Sequence, residues 1–275
     1  MIPYAFIQGW RAHAPWADDA MVEQDLVISR ALVNIYSDPV LQRRLAFRGG
    51  TALHKLYLHP AARYSEDIDL VQMEPGPIGS TLDRVRRTLD PWLGSPKRKF
   101  KEGRVNLVYR FSSEGAHPIP MRLKVEINSR EHFTHLGFTT TRLAIGSDWY
   151  TGAAHITTYD LDELLGTKFR ALYQRKKGRD LFDLALGLDG GANPSRVIAC
   201  FDRYLEEGGH RVSRAQFERN LHEKRTDPLF RGDVAPLLRP GLAWDPDAAL
   251  DQVLKTLVAL LPGGPLRGTA EEKPR

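Results

Sequence analysis

The chain has one cysteine, Cys200, in 275 residues. A single thiol can form neither an internal disulfide nor a cysteine-based zinc site, so Cys200 is expected to be a small core residue in a reducing cytoplasm. None of the nine histidines forms an H-x-x-x-H or H-E-x-x-H pair, which removes the usual zinc-hydrolase pattern. The phosphate loops G-x-G-x-x-G and G-x-x-x-x-G-K-[S/T] are absent, as is the G-x-S-x-G elbow, so neither a Rossmann site, a P-loop nor an α/β-hydrolase nucleophile is expected. Gly166-Thr167-Lys168 does not restore a P-loop, because it falls within a helical pattern. There is also no apolar run of about 18 residues, and no membrane association is expected. The opening MIPYAFIQGWRAHAPW has no basic stretch followed by a sustained apolar one, so it is not expected to act as a secretory signal.

What is present is ordinary globular material: 42% hydrophobic and 27% charged residues, enough for one large domain or two modest ones. The net charge of +5 says less than its distribution. Lys97, Arg98, Lys99, Lys101 and Arg104 form one basic cluster. Lys168, Arg170, Arg175, Lys176, Lys177 and Arg179 form a second. Such clusters suit polyphosphate or nucleic-acid backbones, or else a solvated face.

Hydrophobic periodicity predicts a helix through Met21 to Ile35, a strand at Leu45 to Phe47, and a short helix after Gly49-Gly50. A second strand is predicted through Asp67 to Val71, then a helix over Ile78 to Trp92. Alternating segments at Val105 to Ser112, Met121 to Asn128 and Thr139 to Ile145 predict half-buried strands of a mixed sheet, with His155 to Tyr159 as a further extended piece. From Leu161 onward the pattern is helical. The expected organisation is an α/β domain over 1–160, a mainly helical domain over 161–261, and a disordered tail over 262–275, rich in proline, glycine and charge.

The densest chemistry lies in FRGGTALHKLYLHPAARYSEDIDLV, residues 47–71. On a strand, Asp67 and Asp69 share a face while Ile68 and Leu70 point into a core. Two adjacent carboxylates repel, and a divalent cation relieves that repulsion. Gly49 and Gly50 let backbone N–H groups approach an anion, with Thr51 beside them. A lone Asp-x-Asp is commonly a solvated strand edge, and a lone Gly-Gly a turn; their order along the chain is what gives them force. Glu126, in Leu-Lys-Val-Glu-Ile-Asn, shares a strand face with Lys124. Alone the two are a surface ion pair, whereas beside the Asp pair Glu126 becomes a candidate third carboxylate. Lys168 lies on a predicted basic helix, from which its ammonium could meet phosphate oxygens. Asp180 falls in the first turn of the next helix, where the helix dipole favours a carboxylate.

The order strand, Gly-Gly, short helix, Asp-h-Asp-h, with h apolar, resembles the hG[GS]…Dh[DE]h pattern of polymerase-β-like nucleotidyltransferases. Arg48, standing between Phe47 and Gly49, is a mild departure. More specifically, GGTALHKLY followed by RYSEDIDL is similar to the AbiEii/AbiGii toxin family, the toxin half of type IV toxin–antitoxin systems. The resemblance implies the nucleotidyltransferase fold and transfer of NMP from an NTP substrate to an acceptor hydroxyl, with Mg²⁺, or alternatively Mn²⁺, on Asp67, Asp69 and Glu126. It implies nucleotide contacts from Gly49, Gly50, Thr51, Ser65 and Lys168. It also carries Lys168 and Asp180 across as active-site residues, with Asp183 as a weaker candidate. In part of this family a hydroxyl near Ser65 is a target of inhibitory phosphorylation. Implied partners are an RNA acceptor such as the 3′ end of tRNA, whose modification blocks translation, and a separately encoded AbiEi-like antitoxin that forms no stable complex. Two alternatives stay open: a protein or small-molecule acceptor, and an NTP-binding regulator without turnover.

Overall fold

A computed structural model describes residues 2–114 and 118–266; the expected tail beyond 266 lies outside the described residues. The chain divides into two compact units, residues 1–164 with 237–242, and residues 165–236 with 243–275.

The first unit is built on a seven-stranded mixed sheet with strand order β3-β4-β5-β2-β1-β7-β6. The strands are β1 (Leu45–Arg48), β2 (Asp67–Gln72), β3 (Lys97–Lys101), β4 (Arg104–Ser112), β5 (Pro120–Asn128), β6 (Phe138–Gly146) and β7 (Thr151–Tyr159). The central β2 runs antiparallel to β1 and parallel to β5. Helices α1 (Tyr4–Trp10), α2 (Asp19–Ser37), α3 (Pro39–Arg44) and α5 (Gly79–Leu93) accompany the sheet. Between β1 and β2 lies a single turn of α-helix, α4 (Gly49–Ala52), continued as a π-helical turn at Leu53–Tyr57.

Alternation decides which face is covered. Ile68, Leu70, Leu107, Tyr109, Leu123, Val125 and Ile127 are all fully buried or within 1% of it, and the Tyr109 hydroxyl donates to Asp90 of α5 at 2.9 Å. The intervening residues of the same strands are half-buried or exposed, so one face is core and the other remains accessible. β3 reads KRKFK with every residue exposed, and no apolar alternation announces it. Its pairing with β4 from Lys97↔Val108 to Lys101↔Arg104 makes it a strand. Residues 237–242 return to the first unit through a bridge, Arg63↔Leu238, and backbone bonds from Tyr64 N to Leu237 O and from Arg239 N to Ala62 O.

The second unit is helical: the greater part of α6 (Leu161–Gln174), then α7 (Gly178–Asp189), α8 (Pro194–Glu207), α9 (Arg214–Arg225), the short α10 (Pro228–Gly232) and α11 (Pro246–Thr256). Its core includes a cluster of Phe169, Phe201 and Phe217, with Phe169 stacked on Phe217 at 4.2 Å between ring centroids. The buried Lys224 donates to the carbonyls of Leu172 and Tyr173 in the last turn of α6, where a cation satisfies otherwise orphaned acceptors. Burial lowers its ammonium to about 8.

Gly166 sits inside α6, although glycine weakens a helix interior. The reason is a close approach to α8: a Cβ at Gly166 would lie 2.6 Å from Cys200 Cβ and 2.9 Å from the Val197 carbonyl oxygen. In an exposed helix, glycine to alanine stabilises by about 0.5–1 kcal/mol. Gly166→Ala is instead expected to destabilise by about 1–3 kcal/mol through overpacking, read by urea unfolding of the second-unit transition.

Candidate functional site

The accessible face of the sheet carries a line of carboxylates. β2 begins at Asp67, and the pleat turns Asp67 and Asp69 to the same side while Ile68 anchors the strand in the core. The parallel register sets Asp67 beside Lys124 and Asp69 beside Glu126 on β5. Lys124 Nζ lies 2.8 Å from Asp67 Oδ2 and 3.7 Å from Glu126 Oε2, and Arg104 Nη1 lies 3.7 Å from Glu126 Oε1. On the other side, the antiparallel register sets Arg48 of β1 opposite Asp69. Arg48 pairs with Glu131 at 2.5 Å.

These neighbours set the electrostatics. Burial pushes the Asp69 carboxyl above its ordinary value, and the Asp67 and Glu126 charges add to that, against the lowering by Lys124 and Arg48. Burial would lower the Lys124 ammonium. The hydrogen bond to Asp67 and the charges of Asp67, Asp69 and Glu126 outweigh it and hold Lys124 above its ordinary value.

The Gly49-Gly50 turn abuts this line. Gly49 has φ +85°, a conformation that L side chains rarely adopt, and any Cβ there would collide with Asp69 Oδ2. A Cβ at Gly50 would lie 2.5 Å from Arg63 Nη2 and 3.2 Å from Ser65 Oγ. Gly49 is therefore required by its conformation and by its approach to a carboxylate, while Gly50 lies against the end of a guanidinium. The Thr51 hydroxyl donates to the Asp67 carbonyl at 2.6 Å and lies 2.8 Å from Ser65 Oγ, whose proton it can accept. This bond ties the turn to the start of β2. A cavity of about 330 Å³ opens beside it, lined in part by Thr51, Lys55, Arg63, Ser65 and Arg239.

In the second unit, Lys168 of α6 lies 3.1 Å from Asp180 Oδ1 and 2.9 Å from Asp183 Oδ2 of α7. Arg175 closes on Asp180 through Nε at 2.7 Å and Nη2 at 2.8 Å. Lys168, Asp180 and Asp183 are all buried. Burial alone would raise the Asp180 carboxyl, but the Lys168 charge and the Arg175 hydrogen bonds overcome it and hold it below its ordinary value. Asp183 is as directly engaged with Lys168 as Asp180 is.

The structure thus brings Gly49, Gly50, Thr51, Ser65, Asp67, Asp69 and Glu126 together in the first unit, and Lys168, Asp180 and Asp183 together in the second. Sequence reasoning assigned no site role to Arg48, noted only as a departure from the pattern, or to Arg63 or Glu131. Arg48 could have been found from the β1–β2 register had the antiparallel pairing been drawn. Arg63 carried no local signal: its position beside Gly50 depends on the loop between the π turn and β2. Among the described residues, no group of three His, Cys, Asp or Glu side chains is arranged to hold a metal ion. The donor chemistry nonetheless fits a hard divalent cation, since Asp67, Asp69 and Glu126 offer only carboxylate oxygens and the Lys124 ammonium already meets two of the three.

Residues 30–252 match the family model for the nucleotidyl transferase AbiEii toxin of type IV toxin–antitoxin systems. No curated sequence matches the chain. Among solved structures, the chain is similar to MenT4, the nucleotidyltransferase toxin Rv2826c from Mycobacterium tuberculosis H37Rv. The TM-score is 0.58 at 16% identity, over 95% of this chain and 91% of that one. It is also similar to JHP933 from Helicobacter pylori, with a TM-score of 0.52 at 14% identity, over 87% of this chain and 90% of that one. At these identities the likeness is one of fold.

The raised Asp69 carboxyl makes a pH-dependent prediction. The folded state binds this proton more tightly than the unfolded state does. Its contribution to stability is therefore fully present below the ordinary carboxylate range and is lost as pH rises through the raised value. Without added divalent metal, Asp69→Asn is expected to melt at a higher temperature than the unsubstituted protein at about pH 7, with the gap shrinking toward about pH 4. Thermal unfolding followed by circular dichroism across that range checks it.

Proposed function

We propose, for a chain that belongs to the AbiEii family of type IV toxin–antitoxin nucleotidyl transferases, that it transfers NMP from an NTP to the terminal hydroxyl of an RNA, with the 3′ end of tRNA as the first candidate. What carries the reading is one arrangement: Asp67 and Asp69 on one face of β2, Glu126 in register with Asp69, and the Gly49-Gly50 turn packed against Asp69.

In the transfer, the acceptor hydroxyl oxygen forms a bond to the α-phosphorus, the α–β phosphoanhydride bond breaks, and pyrophosphate leaves. A divalent ion, Mg²⁺ in this reading, supplies charge neutralisation to the phosphate oxygens when bound. Asp67, Asp69 and Glu126 would hold it. Glu126 serves as its third ligand or as the base that takes the acceptor's proton. Gly49, Gly50 and Thr51 would offer their backbone N–H groups to a phosphate. Ser65 offers a hydroxyl beside them, and Arg63, next to Gly50, adds positive charge. Lys168 and Asp180, with Asp183, belong to the proposal through the family resemblance. Lys168 is assigned to the departing pyrophosphate, and Asp180 and Asp183 to holding its ammonium.

The resemblance also supplies the biological setting of the proposal: modification of the RNA blocks translation and growth, and an AbiEi-like antitoxin counteracts it without a stable complex. No helix among the described residues is long and apolar enough to cross a membrane.

Incubating the protein with labelled NTPs, Mg²⁺ and total tRNA tests the reaction. Label is expected on tRNA with release of pyrophosphate, and Asp69→Ala is expected to lower the rate by at least about 10²-fold. Label on a protein instead would reject the RNA acceptor. Undiminished activity in Asp69→Ala would reject the site.

A further inference from the structure

A nucleotidyl transferase needs a place for its acceptor, and the accessible sheet face continues well beyond the carboxylates. Directly paired residues in neighbouring strands share a face. The register therefore groups Lys97, Lys99 and Lys101 of β3 with Val108, Asn106 and Arg104 of β4. The same face continues onto β5, where Asn106 pairs with Glu126, Val108 with Lys124, and Arg110 with Arg122. From β5 it passes to Asp67 and Asp69 on β2. One continuous surface thus carries its three carboxylates where β2 meets β5, and Lys97, Lys99, Lys101, Arg104, Arg110 and Arg122 beyond them. All six cations are exposed, and β3 and β4 bring no acidic residue to this face.

Two features make this more than a solvated edge. Lysines on an edge strand are a common defence against strand addition, which would account for β3 alone. Arg110 and Arg122, however, lie on inner strands and directly opposite each other, where like charges are destabilising unless an anion sits between or above them. Distance also matters. β3 is three strands from β2, about 14 Å at the usual strand spacing, which is farther than the three phosphates of one nucleotide held at β2 extend. The three β3 lysines therefore suit a longer polyanion than the NTP, and Arg104, Arg110 and Arg122 fill the face between them and the carboxylates.

We propose that the β3–β4–β5 face binds the phosphodiester backbone of the RNA acceptor and delivers its terminal hydroxyl to Asp67 and Asp69; the assignment of the hydroxyl rests on the function proposed above. The basic face holds the strand without reading its bases, because backbone phosphates carry most of such affinity. The carboxylate end repels backbone phosphate, so the strand terminates there rather than running across β2.

The test measures binding rather than turnover. Filter binding of labelled total tRNA to the full chain, without nucleotide, is followed across a KCl series. Lys97→Gln/Lys99→Gln/Lys101→Gln is expected to reduce the slope of log affinity against log salt by about 2, with affinity on the order of a hundredfold weaker at about 0.1 M salt. Arg110→Gln/Arg122→Gln is expected to reduce the slope by about 1.4. This second variant decides the matter if the first fails to fold by circular dichroism. Both should keep the thermal shift given by Mg²⁺ with NTP. Unchanged affinity and slope in the variants would overturn the proposal. So would a loss seen only in Lys176→Gln/Lys177→Gln, or no tRNA binding by the unsubstituted chain at about 0.05 M salt. Label transferred to a protein would reject the RNA reaction yet leave this binding result to stand or fall separately.

Discussion

Asp67 and Asp69 are two residues apart on a strand, so the pleat commits both carboxylates to one face and the parallel neighbour adds Glu126 beside them. Three acids on a half-buried surface repel one another, and burial makes the charged form of Asp69 costlier still. Every surrounding feature answers that constraint. Lys124 bridges Asp67 and Glu126, Arg104 reaches Glu126 from β4, and Arg48 faces Asp69 from β1. The side chain at position 49 is removed so that the turn can lie against Asp69, and Thr51 bonds the turn to the first residue of β2. The result is three carboxylates and the Gly49 turn set side by side on one accessible face.

The second unit treats its charges in the opposite way. Lys168 is buried between Asp180 and Asp183, and Arg175 adds a bidentate contact on Asp180. The cluster balances its own charge, and the Asp180 carboxyl falls below its ordinary range, whereas that of Asp69 rises. Breaking one partner of such a buried set leaves an uncompensated charge. Substitutions at Lys168 are therefore expected to lower stability, which has to be read beside any change in activity.

Much of the first unit was legible because its periodicity and its chemistry agree. Alternation in Val105 to Ser112 and Met121 to Asn128 marked strands whose inward residues are buried, except Phe111 and Met121, which are half-buried. The Gly-Gly and Asp-x-Asp spacing marked the turn and β2. What stayed hidden depends on tertiary pairing. β3 has no apolar face of its own and was visible only as a basic cluster. β7 begins at Thr151, several residues before the extended piece read at His155, because Gly152, Ala153 and Ala154 carry little strand preference. The return of residues 237–242 to pair near Arg63 has no local signature. Asp183 looked weaker than Asp180 on sequence, yet its contact with Lys168 is the shorter of the two, because an i, i+3 pair on α7 turns both carboxylates toward the same ammonium.

The proposed transfer requires a divalent cation on the Asp67–Asp69 face. The most direct test is the thermal midpoint with and without Mg²⁺, in the absence of nucleotide, for the unsubstituted protein and for Asp67→Asn/Asp69→Asn. A ligand that binds only the folded state raises the midpoint with its concentration. A Mg²⁺-dependent rise is expected in the unsubstituted protein and none in the double variant. No rise in either, or an equal rise in both, would contradict it.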